Sequence, residues 1–380
     1  MKIPFNKPFS TGNEIKYIQE SISSGKISGD GIFTKKCHDF FEKIYGFHKV
    51  LLTTSCTDAL EMASILIDIQ PGDEIIMPSY TFVSTANAFV LRGAKLVFVD
   101  SREDHPGMDE TKIENLITEK TKAIVPVHYA GVACDMDLIM QLADKYNLFV
   151  IEDAAQAIDS YYKGKRLGSI GHLAAFSFHE TKNIISGEGG MLVINDSNFN
   201  KRAEIIREKG TNRSAFFRGE VDKYSWVDLG SSFLPSDIIS AYLYAQTEKI
   251  QLIQNRRKHI WNRYDNAFRD IIDKENKVIL PFIPVNSTNN AHMYYIICKD
   301  INQRNKFISY LKLKGIHAVF HYLSLHKSTF FNERYLGENL VHSDRYSECL
   351  VRLPLFVDLT EKEQSYIIKE VISFFRNSYE

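Results

Sequence analysis

The sequence predicts an α/β fold with a mixed, mostly parallel central sheet and a smaller C-terminal α+β domain. Three observations carry that expectation. Short continuous apolar runs alternate with amphipathic stretches through the first two thirds of the chain. The last pair of these runs is joined by a short, glycine-rich connection. Around Pro235 the alternation gives way to a long helical pattern and then to new runs. Alternating β and α segments bury their apolar faces by stacking helices on a sheet.

Segments 96–99, 123–127 and 148–151 are short apolar runs, the pattern of strands covered on both faces. Between them, residues 137–146 set Ile139, Met140, Leu142 and Ala143 against Asp144 and Lys145, as an amphipathic helix does. Segments 174–178 and 191–194 read as two more strands, and the short link between them allows an antiparallel pair. Ser236 and Asp237 can cap one helix running to about Phe268. Segments 293–298 and 316–320 then read as strands, and 361–375 as a closing helix. We therefore expect a large domain over residues 1–245, with an N-terminal arm, and a small domain over 246–380.

Composition narrows the function classes. With 380 residues, 44% hydrophobic and 24% charged, the chain reads as a globular protein with an ample core. Its net charge of −1 lacks the basic face that nucleic-acid and membrane-surface proteins need. No apolar run reaches the ~18 residues of a membrane helix, and the first residues show no secretory leader. The five cysteines, Cys37, Cys56, Cys134, Cys298 and Cys349, are scattered and form no C-x-x-C pair, so neither a disulfide framework nor a zinc site is expected. A cytoplasmic location follows from the same signs. His317, His321 and His326 lack the spacing of a zinc site, and no metal is expected.

Three segments carry chemistry, each ambiguous alone. Ser55, Cys56 and Thr57 stand just ahead of a helical pattern, where free N–H groups suit a phosphate; the same residues would also make an ordinary N-cap. Segment 148–151 runs into Glu152 and Asp153, and ligand groups gather at the carboxyl ends of strands in such sheets. An acid there could meet a cationic ring nitrogen, a magnesium ion or a dinucleotide. Lys182 follows the strand 174–178 and precedes Gly187, Gly189 and Gly190. A lysine in a confined site can lose its proton and attack an aldehyde, although a lysine taken at random is a solvated surface residue.

In this order, a phosphate cradle, an acid at a strand end and a lysine after the next strand, the chain resembles the DegT/StrS family of sugar aminotransferases. The likeness spans nearly the whole chain. It includes Ser28-Gly29-Asp30-Gly31, the segment Pro78-Ser79-Tyr80-Thr81-Phe82-Val83-Ser84-Thr85, Val127-His128-Tyr129-Ala130-Gly131 and His321-Tyr322-Leu323-Ser324-Leu325-His326. The resemblance implies the fold-type I architecture of pyridoxal-phosphate-dependent transferases, similar to aspartate aminotransferase. It implies pyridoxal 5′-phosphate as cofactor, with Lys182 as its Schiff-base lysine and Asp153 at the pyridine nitrogen. It further implies Gln156 at the phenolic oxygen, Phe82 against the ring, and Ser55, Cys56, Thr57 and Ser177 at the phosphate. On spacing alone Phe82 reads instead as a core aromatic. Lys209, Arg213, His321 and Tyr322 are implied as contacts of a nucleotide-linked sugar, and a homodimer or larger assembly with shared active sites is expected.

Lys209-Gly210-Thr211-Asn212-Arg213-Ser214, Phe217-Arg218-Gly219 and Val221-Asp222-Lys223-Tyr224 resemble one branch of that family. Its members aminate dTDP-4-keto-6-deoxyglucose to dTDP-4-amino-4,6-dideoxygalactose, with L-glutamate as the expected donor, for surface polysaccharides of the enterobacterial common-antigen or O-antigen type. One departure stands out. Many relatives carry an Asn that reaches the neighbouring subunit's cofactor phosphate, with an Arg two positions on. Here those positions are Ser232 and Leu234, and a serine hydroxyl has the shorter reach. Lys182 argues against the sugar dehydratases of this fold, which replace the lysine, and the Lys182–Asp153 pair against a non-catalytic regulator. The absence of G-x-G-x-x-G after an early strand argues against a nicotinamide enzyme. No residue of the sequence declares itself as the holder of the donor's carboxylate.

Overall fold

The computed structural model describes residues 1–269 and 278–377. Among them a seven-stranded sheet forms the centre. Its strands are β1 (Lys49–Thr53), β2 (Glu74–Pro78), β3 (Lys95–Val99), β4 (Thr121–Ile124), β5 (Phe149–Asp153) and, after a small hairpin of β6 (Tyr161–Tyr162) and β7 (Lys165–Arg166), β8 (Leu173–Ser177) and β9 (Gly190–Ile194). Their order across the sheet is β1-β9-β8-β5-β4-β2-β3. β9 runs antiparallel to both its neighbours, and the other pairings are parallel. Hydrogen bonds from Phe178 N–H to the Gly189 carbonyl (2.8 Å) and from Glu180 N–H to the Gly187 carbonyl (2.9 Å) fold the link after β8 back on itself, which returns β9 antiparallel. The mixed, mostly parallel sheet expected from the sequence is present.

The first helices are α1 (Glu14–Ser23), α2 (Ile32–Asp39), α3 (Cys56–Leu66), α4 (Val83–Val90), α5 (Met136–Tyr146), α6 (Asn200–Arg207), α7 (Arg213–Phe217) and α8 (Asp237–Thr247). Strand alternation sends successive side chains to opposite faces of the sheet. Val50, Leu52, Val150, Ala174 and Phe176 join Ile139 and Leu142 of α5 in one core. Leu51, Ile75, Ile151, Leu173 and Ala175 join Leu60 and Ala63 of α3 and Phe89 of α4 in another. The face that a side chain takes therefore decides whether it meets α5 or the α3–α4 layer.

The remaining elements are α9 (Ile250–Arg269), β10 (Tyr294–Ile297), α10 (Ile301–Leu313), β11 (Val319–Phe320), α11 (Val341–Cys349), β12 (Leu350–Leu353) and α12 (Glu361–Asn377). β12 lies between β10 and β11, antiparallel to both. A third core surrounds this small sheet, built from Trp261 and Tyr264 of α9, Phe307 of α10, Val351 and Leu353 of β12, Phe375 of α12 and also Ile3. Ile3 is held by backbone hydrogen bonds to Gly315 and His317, which ties the N-terminal arm to this part of the molecule.

One expectation needs correction. The single helix expected from Ser236 to about Phe268 is two helices, α8 and α9, broken between Thr247 and Ile250. Its start is as expected, with the Ser236 hydroxyl accepting from Ile239 N–H. At the break the Thr247 hydroxyl donates to the Tyr244 carbonyl at 2.7 Å. The Lys249 N–H bonds the Gln246 carbonyl three residues back rather than four, which tightens the turn.

Candidate active site

β1 delivers the chain to Ser55, which sits in an extended conformation and caps α3 by accepting a hydrogen bond from Asp58 N–H at 3.1 Å. That cap leaves the first N–H groups of α3, at Cys56 and Thr57, directed out of the helix end. Gly190, at the start of β9, packs on the backbone of Ser55 and Cys56 so closely that any side chain there would collide with it. Burial pushes the Cys56 thiol well above its ordinary value, so it stays neutral beside the helix end. The Thr57 hydroxyl donates to Ser84 at 2.8 Å, which links the start of α3 to the start of α4.

At the end of β5, Glu152 and Asp153 part company. Glu152 faces the α5 side and is fully buried, bonded to His128 Nε2 at 2.9 Å and to the N–H groups of Gly168, Ile170 and Gly171. Burial would raise its carboxyl, but these donors hold it below the usual value. It is a structural anchor. Asp153 faces the α3–α4 side, where it accepts hydrogen bonds from the Thr85 hydroxyl (2.7 Å) and Ala155 N–H (3.1 Å). Both bonds fix the carboxylate in the wall of a cavity of about 370 Å³.

Lys182 lines the same cavity. It is half-buried, and its backbone N–H closes a turn onto the His179 carbonyl at 2.9 Å. Enclosure of the amine, with the positive charge of Arg352 acting in the same direction, pulls Lys182 down to about 8. Ser177, Gln156, Phe82, His321 and Tyr322 complete the expected set. Phe82 is 53% exposed, so it is no core aromatic, and its ring lies 5.9 Å from that of Tyr322. Gln156 accepts from Ala130 N–H at 2.6 Å and donates to the Tyr322 hydroxyl at 3.0 Å. Tyr322 holds a left-handed backbone (φ 53°), uncommon for a residue with a large side chain. His321 stacks on it with ring centres 3.6 Å apart and bonds the Tyr129 hydroxyl at 2.7 Å.

Three expected residues do not join this cavity within one chain. Ser232, Lys209 and Arg213 line a wider one of about 1030 Å³, with Asp30, Arg207 and Glu204. Conversely, the sequence reading missed His292 and Arg352, which both line the Lys182 cavity. His292 bonds Asn183 at 2.9 Å, and burial together with the charges of Lys182, Arg352 and Arg257 keeps its imidazole neutral. A signal for Arg352 was present as a lone cation inside the apolar run Leu350-Val351-Arg352-Leu353.

A helix end for an anion, a fixed carboxylate and a lysine of lowered basicity thus converge on one space. The DegT/DnrJ/EryC1/StrS aminotransferase family description matches residues 9–372. The chain belongs to that family. A protein of Methanocaldococcus jannaschii, itself uncharacterized, is 32% identical over 97% of this chain and 96% of its own length. Among solved structures, Spr1654 of Streptococcus pneumoniae, assigned as a sugar aminotransferase and solved in its PMP form, superposes with a TM-score of 0.89. It is 27% identical, with 100% of this chain and 99% of that one covered. The aminotransferase TlmJ of Streptoalloteichus hindustanus superposes with a TM-score of 0.90 at 25% identity, covering 99% of both chains. The architecture is that of the fold-type I pyridoxal-phosphate-dependent aminotransferases, as these family members show.

Proposed function

We propose that this family member moves an amino group from L-glutamate to the keto carbon of a nucleotide-linked sugar. The substrate we favour is dTDP-4-keto-6-deoxy-D-glucose, giving dTDP-4-amino-4,6-dideoxy-D-galactose for a surface polysaccharide. The observation that carries the reading is the meeting of Lys182, with its lowered basicity, and the fixed Asp153 carboxylate in one cavity beside the N-terminus of α3. The choice of sugar rests on the segments 209–214 and 217–224 and on Ser232 with Leu234.

The cofactor is pyridoxal 5′-phosphate, which when bound supplies an electron sink for amino-group transfer. The residues fit it. The start of α3 at Ser55, Cys56 and Thr57, with Ser177, would hold the phosphate, and Gly190, packed against that backbone, adds no side chain there. Asp153, locked by Thr85 and Ala155, would keep a proton on the ring nitrogen. Phe82 would cover a ring face. Gln156, already bonded to Tyr322 through one amide hydrogen, has a second for the phenolic oxygen.

Lys182 does the proton work. An amine near 8 is partly unprotonated at neutral pH, so its Nζ can both attack a carbonyl and carry a proton from one carbon to another. His321 and Tyr322 line the sugar end. In the homodimer we propose, the wide cavity holding Ser232, Lys209 and Arg213 faces the partner's reaction centre. We take residues 1–245 as the cofactor-binding domain and 246–380 as the smaller one.

The test is a pair of half-reactions followed by absorbance. Cofactor-loaded protein is treated with L-glutamate, freed of it, and then given nucleotide keto-sugars one at a time. Recovery of the original spectrum with dTDP-4-keto-6-deoxyglucose alone supports the full reading. Recovery with a different nucleotide sugar keeps the reaction and removes the substrate. No spectral change with any amino donor removes the reaction.

A further inference from the structure

Lys182 stands in a loop, on neither a strand nor a helix. Backbone hydrogen bonds at Phe178, Glu180 and Ser186 hold the base of that loop, and Lys182 closes its own turn onto His179. Those bonds fix where the loop starts and ends. The place of the amine depends on what holds the loop beyond that turn.

The next residue supplies the hold. Asn183 is 4% exposed, and its Nδ2 donates to Gln254 Oε1 on α9 at 2.8 Å and to the Asn290 carbonyl at 2.9 Å. Its Oδ1 accepts from His292 Nδ1 at 2.9 Å, since an amide oxygen cannot donate. His292 therefore carries its proton on Nδ1, and its neutral ring adds no further positive charge beside Lys182 and Arg352. Asn290 is the seat of this clamp and is fully buried. Its own Nδ2 donates to the carbonyls of Gln156 (2.7 Å) and Ile158 (2.8 Å), and its Oδ1 accepts from His292 N–H (3.0 Å). Gly131 lies so close to that amide that any side chain there would collide with it. Arg257 holds the same segment, its Nε and Nη2 donating to the carbonyls of Ala291 (3.1 Å) and His292 (2.6 Å). Among the described residues, no buried nitrogen or oxygen of these side chains lacks a partner. A buried polar network satisfied throughout rigidifies what it joins. This one joins the residue beside Lys182 to the backbone of Gln156, through the segment that precedes β10.

We propose that Asn183, seated on Asn290, is a positioning residue for Lys182, holding the reactive amine inside the cavity at a set place relative to Gln156. Neighbouring Cα atoms are about 3.8 Å apart, so a fixed Asn183 confines the base of the lysine stem. Without the clamp the loop lets the amine reach water. The inference rests on the aminotransferase reading for what the amine does, and not for where it is held.

The test reads the amine directly. Cofactor-free protein is labelled with a trace of acetic anhydride across a pH series, and acetylation at Lys182 is followed by mass spectrometry. Enclosure lowers Lys182 to about 8. Asn183→Ala removes no charge, and Asp153, Cys56, Arg352, His292 and His321 all remain around the amine. Exposure to water is therefore expected to raise the midpoint by roughly 1–2 units. Gln254→Met removes one bond of the clamp from α9 and should shift the midpoint less; it also serves if Asn183→Ala does not fold. Gln364→Ala is the control. It loses a buried amide's bond to the Ile260 carbonyl (2.7 Å) outside the cavity, and should lower stability in urea with no shift of the midpoint. With the cofactor loaded, Asn183→Ala should slow the glutamate half-reaction on the order of 10-fold at saturating glutamate, with the concentration for half-maximal rate unchanged. A Lys182 midpoint unchanged in both Asn183→Ala and Gln254→Met overturns the proposal, as does an equal shift in Gln364→Ala. Failure of the aminotransferase reading looks different: the midpoints would move as described, yet wild-type protein would give no spectral response to an amino donor.

Discussion

Among the described residues the cations beside Lys182 stand alone, whereas in the wide cavity Lys49, Arg207 and Arg218 come with acids. In the wide cavity Lys49 and Arg218 both reach Glu204, at 2.6 and 2.9 Å, and Arg207 bonds Asp30 at 2.8 Å. In the narrower one neither Lys182 nor Arg352 has an ion-pair partner among the described residues. Both cavities are lined by charge, so charge alone does not mark a reaction centre. Paired charges have already spent their attraction inside the fold. Unpaired ones, held there against the cost of burial, are available to a ligand.

The comparison predicts a graded set of effects. Lys182→Ala should lower the rate of the glutamate half-reaction by at least roughly 1,000-fold, as loss of a covalent amine does. Single-turnover absorbance measures it, and a rate near wild type would break the contrast at its strongest point. Asp153→Asn should slow the same step by on the order of 100-fold, because a neutral amide no longer holds a proton on the ring nitrogen. Circular dichroism should show the fold intact.

Asp30→Asn tests the other cavity. It leaves Arg207, whose Nε and Nη1 lack partners among the described residues, with a weaker neighbour. The expected outcome is a loss of about 1–3 kcal/mol of stability in urea unfolding. If this variant instead slowed amino transfer as much as Asp153→Asn, Asp30 would act in the chemistry rather than in holding Arg207.

The smallest effect is a pH shift. Lys182 is lowered from 10.5 to about 8, so uptake of the aldehyde cofactor by cofactor-free protein should rise with pH through about 8 and then level off. The linked stability runs the same way: between about 8 and 10.5 the unfolded lysine binds more protons than the folded one, so stability rises across that window. Removing the positive charge in Arg352→Gln should move the uptake midpoint upward. A midpoint unchanged in that variant would show that the two cations do not sense each other.

Much of this was legible in the sequence, and the limits have physical causes. β5 and β8 were readable because strands covered on both faces are written as unbroken apolar runs. Asp153 and Lys182 stood out just beyond those runs but were ambiguous alone until the family resemblance gave them roles, and the structure brings them into one cavity with Ser55, Cys56, Thr57, Phe82, Gln156, Ser177, His321 and Tyr322. The break in the α8–α9 segment was not readable, since it depends on one hydroxyl turning back on its own helix at Thr247. Arg352 and His292 were missed because they arrive from the small sheet and the segment before it, so only tertiary packing places them beside Lys182. Ser232, Lys209 and Arg213 could not be placed by local pattern either, because their position depends on how the segment after α6 folds over α3.

Glu152 and Asp153 are chemically near-equivalent, and what separates them is parity. A strand alternates with a period of two, so odd positions of β5 meet the α3–α4 layer and even ones meet His128. Deleting one residue upstream within β5 would exchange the faces of the two acids, turning the one proposed for the cofactor toward α5 and the anchor toward the α3–α4 layer. Deleting two would restore their assignment while shortening the strand. The reading frame of this site is thus set along the backbone, one peptide unit at a time, and its tolerance to insertions should be even-numbered.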